Sequence, residues 1–297
     1  MQILNFGSLN IDHVYRVEHF VRPGETLSST AYRVFMGGKG SNQSIALALA
    51  GAPVVHAGKL GSDGGWLKER LAGYGVDTAL VEVGTGASGH AIIQVSASGE
   101  NAIILHGGAN REITAADAAR VLASFGPGDW LLLQNEISAI PEIMRQAHNR
   151  GLTIAFNPAP MHTDVLAYPL ELVRLFVVNE IEAAELSGER EPDRILGAMR
   201  QRYPGAATVL TLGSDGAAYA GPAGTFRVPA PKVTAVDTTA AGDTSIGYFL
   251  AELLRGADPR RALEVACRAA ALCVTRPGAA DSIPRRAEVE AFTPNFG

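Results

Sequence analysis

Residues 129–157, "DWLLLQNEISAIPEIMRQAHNRGLTIAFN", carry the pattern on which the fold turns. An apolar run, "DWLLLQ", leads into a helix-period segment near 138–150 and then into a second apolar run, "LTIAF". Downstream the pattern recurs as "LFVV", a helical segment near 180–187, and "TVLTL". Short apolar runs alternating with helices are βα units, and these build a parallel sheet with helices on its faces. Glu136, Asn157, Asn179 and Gly213 each follow the end of one run. Ligands of open parallel sheets bind outside the carboxyl ends of the strands, which is where these polar residues fall.

Two segments break the alternation. Residues 12–36 and 89–106 read as strands, the second a hairpin turning at "SASGEN" between runs of similar length. They predict a small β-sheet outside the main one, placed as a lid over the ligand site. Bare strand edges are a liability, so the lid strands are expected to pair with a second subunit in a homodimer.

At 297 residues and 47% hydrophobic, the chain can bury a large core and suits one α/β domain with a smaller appendage. A net charge of −5 and a pI near 5.8 argue against a nucleic-acid partner or an acidic membrane surface, leaving only local sites for anions. Cys267 and Cys273 lie six residues apart in one helical stretch, a spacing that suits neither a zinc cluster nor a disulfide framework. They read as small buried residues, and the low cysteine usage points to the cytoplasm. The opening "MQILNFGSLN" lacks a charged segment ahead of an apolar one. The longest apolar stretch, around "IALALAGAPVV", falls short of the ~18 residues of a membrane span.

Several familiar motifs fail. There is no G-x-x-x-x-G-K-[ST], no H-E-x-x-H and no G-x-S-x-G. Gly84, Gly86 and Gly89 spell G-x-G-x-x-G, but they lead into a predicted strand, the wrong context for a dinucleotide loop. The segment "VDTTAAGDTSIGYFLAELLRG", 236–256, carries more. Ile246, Phe249, Leu250, Leu253 and Leu254 form an apolar stripe at helical period, Gly256 closes the helix, and Asp258-Pro259 opens the next. Ahead of the stripe, the small residues Ala240, Ala241 and Gly242 let backbone N–H groups converge on an anion at the helix N-terminus. Asp243 is then placed to take a proton from a hydroxyl beside a transferring phosphoryl group. The same aspartate is also readable as a plain first-turn carboxylate on the helix dipole, and this segment alone leaves both readings open. A second element, "FMGGKGSNQSIALALAG" at 35–51, is a double-glycine loop entering a helix, with Lys39 and Asn42 at the turn. It reads either as a flexible loop with a solvated lysine or as a backbone close enough to a polyol for Asn42 to bond its hydroxyls.

Taken together, "GSLNID", "GGKGSNQ", "LLLQNE", "FNPAP", "VVNEIEAAEL", "TLGSDG", "VDTTAAGD" and "VTRPGAADSIP" follow one another in the order seen in the ribokinase branch of the ribokinase-like carbohydrate kinases. The chain resembles that family over essentially its whole length. The resemblance implies a three-layer αβα core with a mainly parallel central sheet, from residues 1–11, 37–88 and 107–297, and a β-sheet lid from 12–36 and 89–106. It implies ATP-dependent phosphorylation of the primary hydroxyl of a free sugar, D-ribose first among the candidates. Asp243 would be the general base, and Ala240, Ala241 and Gly242 the anion hole. Asn10, Asp12, Gly38, Lys39, Asn42 and Glu136 would bind the sugar. Asn179 and Glu182 would serve magnesium and the triphosphate, with Thr211, Gly213 and Gly216 lining the ATP site beside Gly242. Asp237, Thr239, Cys273, Arg276, Gly278 and Ser282 would hold a potassium ion, mostly through backbone carbonyls.

Two departures from the family pattern bear on specificity. Cys267 stands where a histidine near the nucleobase is common. In the lid, "GHAIIQV" would wall the sugar, with His90, Ile92 and Gln94 as residues that shift the preferred acceptor. Deoxyribose, fructose or a nucleoside are the alternative acceptors, and a non-catalytic sugar sensor on the same fold is the alternative from another class.

Overall fold

The computed structural model describes residues 1–293. Its first half runs β1 (Ile3–Phe6), β2 (Asn10–Arg16), β3 (Ala31–Gly37), α1 (Lys39–Leu49), β4 (Val54–Leu60), α2 (Gly65–Gly73), β5 (Asp77–Val83), β6 (Gly89–Val95) and β7 (Asn101–His106). The alternating region follows as α3 (Ala115–Leu122), β8 (Trp130–Gln134), α4 (Ile140–Asn149), β9 (Thr153–Asn157), β10 (Leu175–Asn179), α5 (Glu180–Ser187), α6 (Pro192–Arg202) and β11 (Ala207–Thr211). A hairpin, β12 (Ala217–Gly221) and β13 (Gly224–Val228), precedes α7 (Ala241–Leu254), α8 (Pro259–Cys273) and α9 (Arg286–Ala291).

The large sheet has the order β13-β12-β11-β10-β9-β8-β1-β4-β5. From β11 to β5 every neighbouring pair is parallel, and the β12–β13 hairpin extends one edge antiparallel. Its strands read as unbroken apolar runs because both faces are covered. Leu131 and Leu133 enter one core with residues of α3, α4, α5 and α6, while Leu132 between them enters the other with residues of α1, α7 and α8. The three-layer expectation holds. Asp258 caps α8 by accepting from the N–H groups of Arg260 and Arg261 at 3.0 and 3.1 Å, and Gly256 takes φ 85° just beyond α7, as the sequence predicts.

The second sheet has the order β3-β2-β6-β7. Asn110, 1% exposed, pins the point where β1 passes into β2: its Oδ1 accepts from Leu9 N at 3.1 Å, and its Nδ2 donates to Leu9 O at 3.2 Å and to Asn10 Oδ1 at 2.8 Å. Register decides which residues face the large sheet. Asp12 pairs with Ala91 on one side and Phe35 on the other, and Ala91 pairs with Leu105, so these four share a face, joined by Ile93 and Ile103. His90, Ile92 and Gln94 therefore lie on the opposite face. The expectation that these three shift the preferred acceptor is corrected, because side chains alternate along a strand and all three lie on the face away from Asp12, which leaves Ala91 and Ile93 as the residues of that segment on the Asp12 face.

Packing of α1 on α7 matters most for the site. A Cβ built at Gly247 would collide with Ala46 of α1, so only glycine allows this approach. Asn42 and Gln43 on α1 are thereby brought against Asp243 on α7.

Candidate active site

Asn157, Asn179 and Thr211 end β9, β10 and β11, and Glu136 follows β8 by two residues. The N-termini of α1 and α7 face this rim. Ala240, the N-cap of α7, is held at φ 60°, a left-handed conformation uncommon outside glycine and costing about 1–2 kcal/mol. The turn it makes aims the first amides of α7 outward. Ala241 N–H reaches Thr238 O at 3.3 Å and Thr244 N–H reaches Ala240 O at 2.8 Å. The N–H groups of Gly242 and Asp243 find no acceptor among the described residues, and they sit at the positive end of a 14-residue helix.

The Asp243 carboxylate is held by two amides. Asn42 Nδ2 donates to its Oδ2 at 3.0 Å, and Gln43 Nε2 donates to its Oδ1 at 2.8 Å. Asn42 Oδ1 is left as a buried acceptor with no partner, an arrangement that costs free energy unless a ligand donor reaches it. Nearby, Glu136 Oε2 accepts from Ser8 Oγ at 2.5 Å and from the Lys39 N–H at 2.9 Å. Burial, with a smaller push from the charge of Glu136, moves the Asp12 carboxyl up to about 7. Burial works against the Lys39 ammonium, but Asp243, Glu136 and Glu182 outweigh it and hold its pKa above the usual value. One lysine thus faces three carboxylates.

A cavity of about 170 Å³ joins Lys39, Asn157, Asn179, Glu182, Thr211, Gly242 and Asp243. A larger one, about 390 Å³, lies between β13 and α8 with Arg227, Arg260 and Arg268 in its wall. Only the smaller is lined by the strand-end residues Asn157, Asn179 and Thr211 together with Glu182 and Asp243. At its edge Asn179 and Glu182 form a capping box: Asn179 Oδ1 accepts from Glu182 N at 2.9 Å and Glu182 Oε2 accepts from Asn179 N at 3.0 Å. Burial raises the Glu182 pKa, opposed by those hydrogen bonds. Gly213 and Gly216 shape the turn after β11; Gly216, at φ 97°, lies so close to Val228 O and Pro229 that a side chain there would collide with backbone.

The sequence reading missed four residues of this neighbourhood: Asn5, Gln43, Asn110 and Gln134. All are at most 1% exposed. Their signal was present, since Asn5 interrupts the apolar "ILNF" and Gln134 ends "WLLLQ", and a polar side chain in a strand covered on both faces needs a partner.

Residues 2–286 match the sequence profile of the pfkB family carbohydrate kinases. The chain belongs to that family. It is 36% identical over 297 residues to the ribokinase of Haemophilus influenzae, covering 96% of each chain. Among solved structures, the ribokinase of Cryptococcus neoformans var. grubii in complex with ADP superposes with a TM-score of 0.84 at 34% identity, covering 97% of this chain and 98% of that one. The Arabidopsis thaliana ribokinase complexed with ribose and ATP gives 0.86 at 28% identity, covering 98% and 99%.

In this pfkB-family chain the loops before α7 and after α8 are stitched together. Asp237 Oδ1 accepts from Thr239 N and Oγ1 at 2.9 and 2.6 Å, and its Oδ2 accepts from Gly278 N at 2.9 Å. Burial favours a raised Asp237 pKa, but these hydrogen bonds outweigh it and hold the carboxyl below its usual range. Cys273 Sγ lies 3.7 Å from Thr239 O and 3.1 Å from Ser282 Oγ, while the Arg276 guanidinium is engaged by Glu288 at 2.6 Å. One ionised carboxylate among neutral oxygens is a donor set that fits a monovalent cation. Burial pushes the thiol of Cys267 up to about 12 and raises that of Cys273, which suits inert packing. No helix among the described residues is long and apolar enough to cross a membrane.

The buried Asp12 carboxyl makes stability depend on pH. Its folded pKa of about 7 stands above the unfolded 3.8, so the folded state binds more protons between those values. The contribution is therefore full below the unfolded pKa and lost as pH rises through 7. His56, fully buried and pushed down to about 4, has the opposite slope between 4 and 6.5, so the comparison must be with a variant. In sugar-free protein at pH 8, Asp12→Asn is expected to be more stable than wild type by about 1–3 kcal/mol, the gain disappearing at pH 4. Urea midpoints at both pH values check this; an equal shift at both would reject it.

Proposed function

We propose that this chain transfers the γ-phosphoryl group of ATP to the primary hydroxyl of a free sugar, D-ribose at O5, giving ribose 5-phosphate. The observation that carries the reading is Asp243 at the start of α7, its carboxylate held by Asn42 and Gln43 beside two helix N–H groups that have no acceptor. Membership of the pfkB family and the likeness to ribokinases support it.

The hydroxyl oxygen attacks the γ-phosphorus, the bond from that phosphorus to the β–γ bridging oxygen breaks, and ADP leaves. Asp243 takes the hydroxyl proton, and the open N–H groups of Gly242 and Asp243, presented by the turn through Ala240, Ala241 and Gly242, receive the charge that gathers on the phosphoryl oxygens. Asn10, Asp12, Gly38, Lys39, Asn42 and Glu136 hold the sugar, with the orphaned Asn42 Oδ1 accepting from one of its hydroxyls. Asn179, Glu182, Thr211, Gly213, Gly216 and Gly242 serve the nucleotide. The hard, all-oxygen pair Asn179 and Glu182 fits magnesium reached through water, and magnesium when bound offsets charge on the phosphates. Potassium held by Asp237, Thr239, Cys273, Arg276, Gly278 and Ser282 would steady the loop that presents the anion hole.

Residues 12–36 and 89–106 act as the lid, with Ala91, Ile93 and Leu105 over the sugar. Its outer face exposes Tyr32, Val34, Ile92 and Ile104, which suits pairing with a second copy in a cytoplasmic homodimer. ADP release with ATP, Mg²⁺ and K⁺ should be fastest with ribose when compared with deoxyribose, fructose and adenosine. Faster turnover of another acceptor would replace ribose and keep the chemistry; absence of turnover with all four would reject the assignment.

A further inference from the structure

A chain of buried side-chain amides ends on the Asp243 carboxylate, and its direction can be derived. It starts at a backbone carbonyl, Gly40 O, which can only accept. Asn5 Nδ2 donates to it at 2.7 Å and to Ser44 Oγ at 2.8 Å, so Asn5 Oδ1 must face the other way. Gln134 Nε2 donates to that oxygen at 2.9 Å and to Gln43 Oε1 at 2.6 Å. With its oxygen taken, Gln43 can offer only Nε2 to Asp243 Oδ1, at 2.8 Å, and to Asn157 Oδ1, at 3.2 Å. Asn157 Nδ2 continues to Val177 O at 3.0 Å and Glu182 Oε2 at 3.4 Å. Asn5, Gln43 and Gln134 are at most 1% exposed, so bulk water does not compete for these groups, and Gln134 Oε1 alone among their polar atoms is left as an acceptor without a partner.

We infer that Gln43 is a positioning residue for the phosphoryl transfer: the series Asn5–Gln134–Gln43 fixes the rotation of the Asp243 carboxylate, leaving Oδ2 on the sugar side. This rests on Asp243 being the base. Four elements contribute, β1, β8, α1 and α7, so the base is referenced to the strands rather than to its own helix alone. Gln43 points away from solvent and is assigned no substrate contact. Its role is therefore on the rate of transfer and not on affinity.

Gln43→Met removes the donor at similar size, and Gln43→Glu, also of equal size, places an oxygen against Asp243. Both are to be measured beside Asp243→Asn, the double variant Gln43→Met/Asp243→Asn, and Ile45→Ala, a purely apolar change in the same helix. Expected for Gln43→Met is a kcat lower by about 10- to 100-fold with both KM values within about threefold. The Gln43→Glu variant should be lower still. The double variant should be no slower than Asp243→Asn alone, because the interaction has already been lost. Ile45→Ala should lower Tm at least as much while keeping kcat within about twofold. A Gln43→Met kcat within about twofold of wild type, or losses that multiply in the double variant, would overturn the positioning role. A near-wild-type kcat for Asp243→Asn would instead remove the base reading, and the inference with it.

Discussion

Asp243→Asn is expected to lower kcat by ~10³-fold or more while the KM values for sugar and ATP stay within about threefold. The asparagine keeps the shape and one oxygen for the Asn42 or Gln43 donor, but it cannot take a proton. Its amide must also turn an N–H toward one of those donors, which Gln43, its oxygen already bonded by Gln134, cannot accept and Asn42 can accept only by flipping its own amide. The open amides of Gly242 and Asp243 remain, so residual activity from phosphoryl binding alone should persist above the background rate. Initial rates over a full grid of both substrates separate kcat from KM. A kcat within about tenfold of wild type would show that the sugar hydroxyl loses its proton elsewhere.

Lys39→Met should lower kcat/KM for the sugar by ~10²–10³-fold. Lys39 stands among Asp243, Glu136 and Glu182, and their charges are what hold its own pKa above the ordinary value despite burial. Removing it leaves those carboxylates facing one another with no other cationic side chain lining the cavity among the described residues, and a triphosphate would then enter a site of like charge. Asp12 and Glu182 already hold protons above the normal carboxylate range. The Lys39 charge draws the Glu182 carboxyl down, so without the ammonium Glu182 keeps its proton to higher pH, and the residual rate of Lys39→Met should climb with pH more steeply than that of wild type. A pH series of kcat/KM between 6 and 9 checks both points. A loss of less than about tenfold would place the lysine outside the path of the transferred group.

Much of this was legible in the sequence for a physical reason: a strand buried on both faces must be written in unbroken apolar letters. The runs around Leu132, Ile154, Val177 and Val209 therefore announced the parallel sheet, and the residues at their ends announced its rim. Asp243 was marked by the three small residues before an apolar stripe, but that segment alone left a plain first-turn carboxylate equally open, and the motifs elsewhere in the chain were needed to choose between them. The face of the lid was harder. Strand periodicity says that Ala91 and Ile92 point opposite ways but not which way is inward; that needed the pairing of Asp12 with Ala91. Hardest were Gln43 and Asn110, whose partners lie about a hundred or more residues away in the chain at Asn157, Asp243 and Asn10. No local pattern encodes such a contact.

The glycine at 247 has one more consequence. Where α1 and α7 touch through Gly247 and Ala46 there is no slack to slide or spread. The helix that carries the Asn42 and Gln43 amides and the helix that carries Asp243 therefore form the fixed jaws of a caliper, with the four-stranded sheet set apart from them. On the proposed function, a sugar is measured by whether its terminal carbon carries a hydroxyl to a point set by a missing methyl group. Lid strands can drift toward new acceptors without resetting that gap, whereas an alanine at 247 would open it for every acceptor at once.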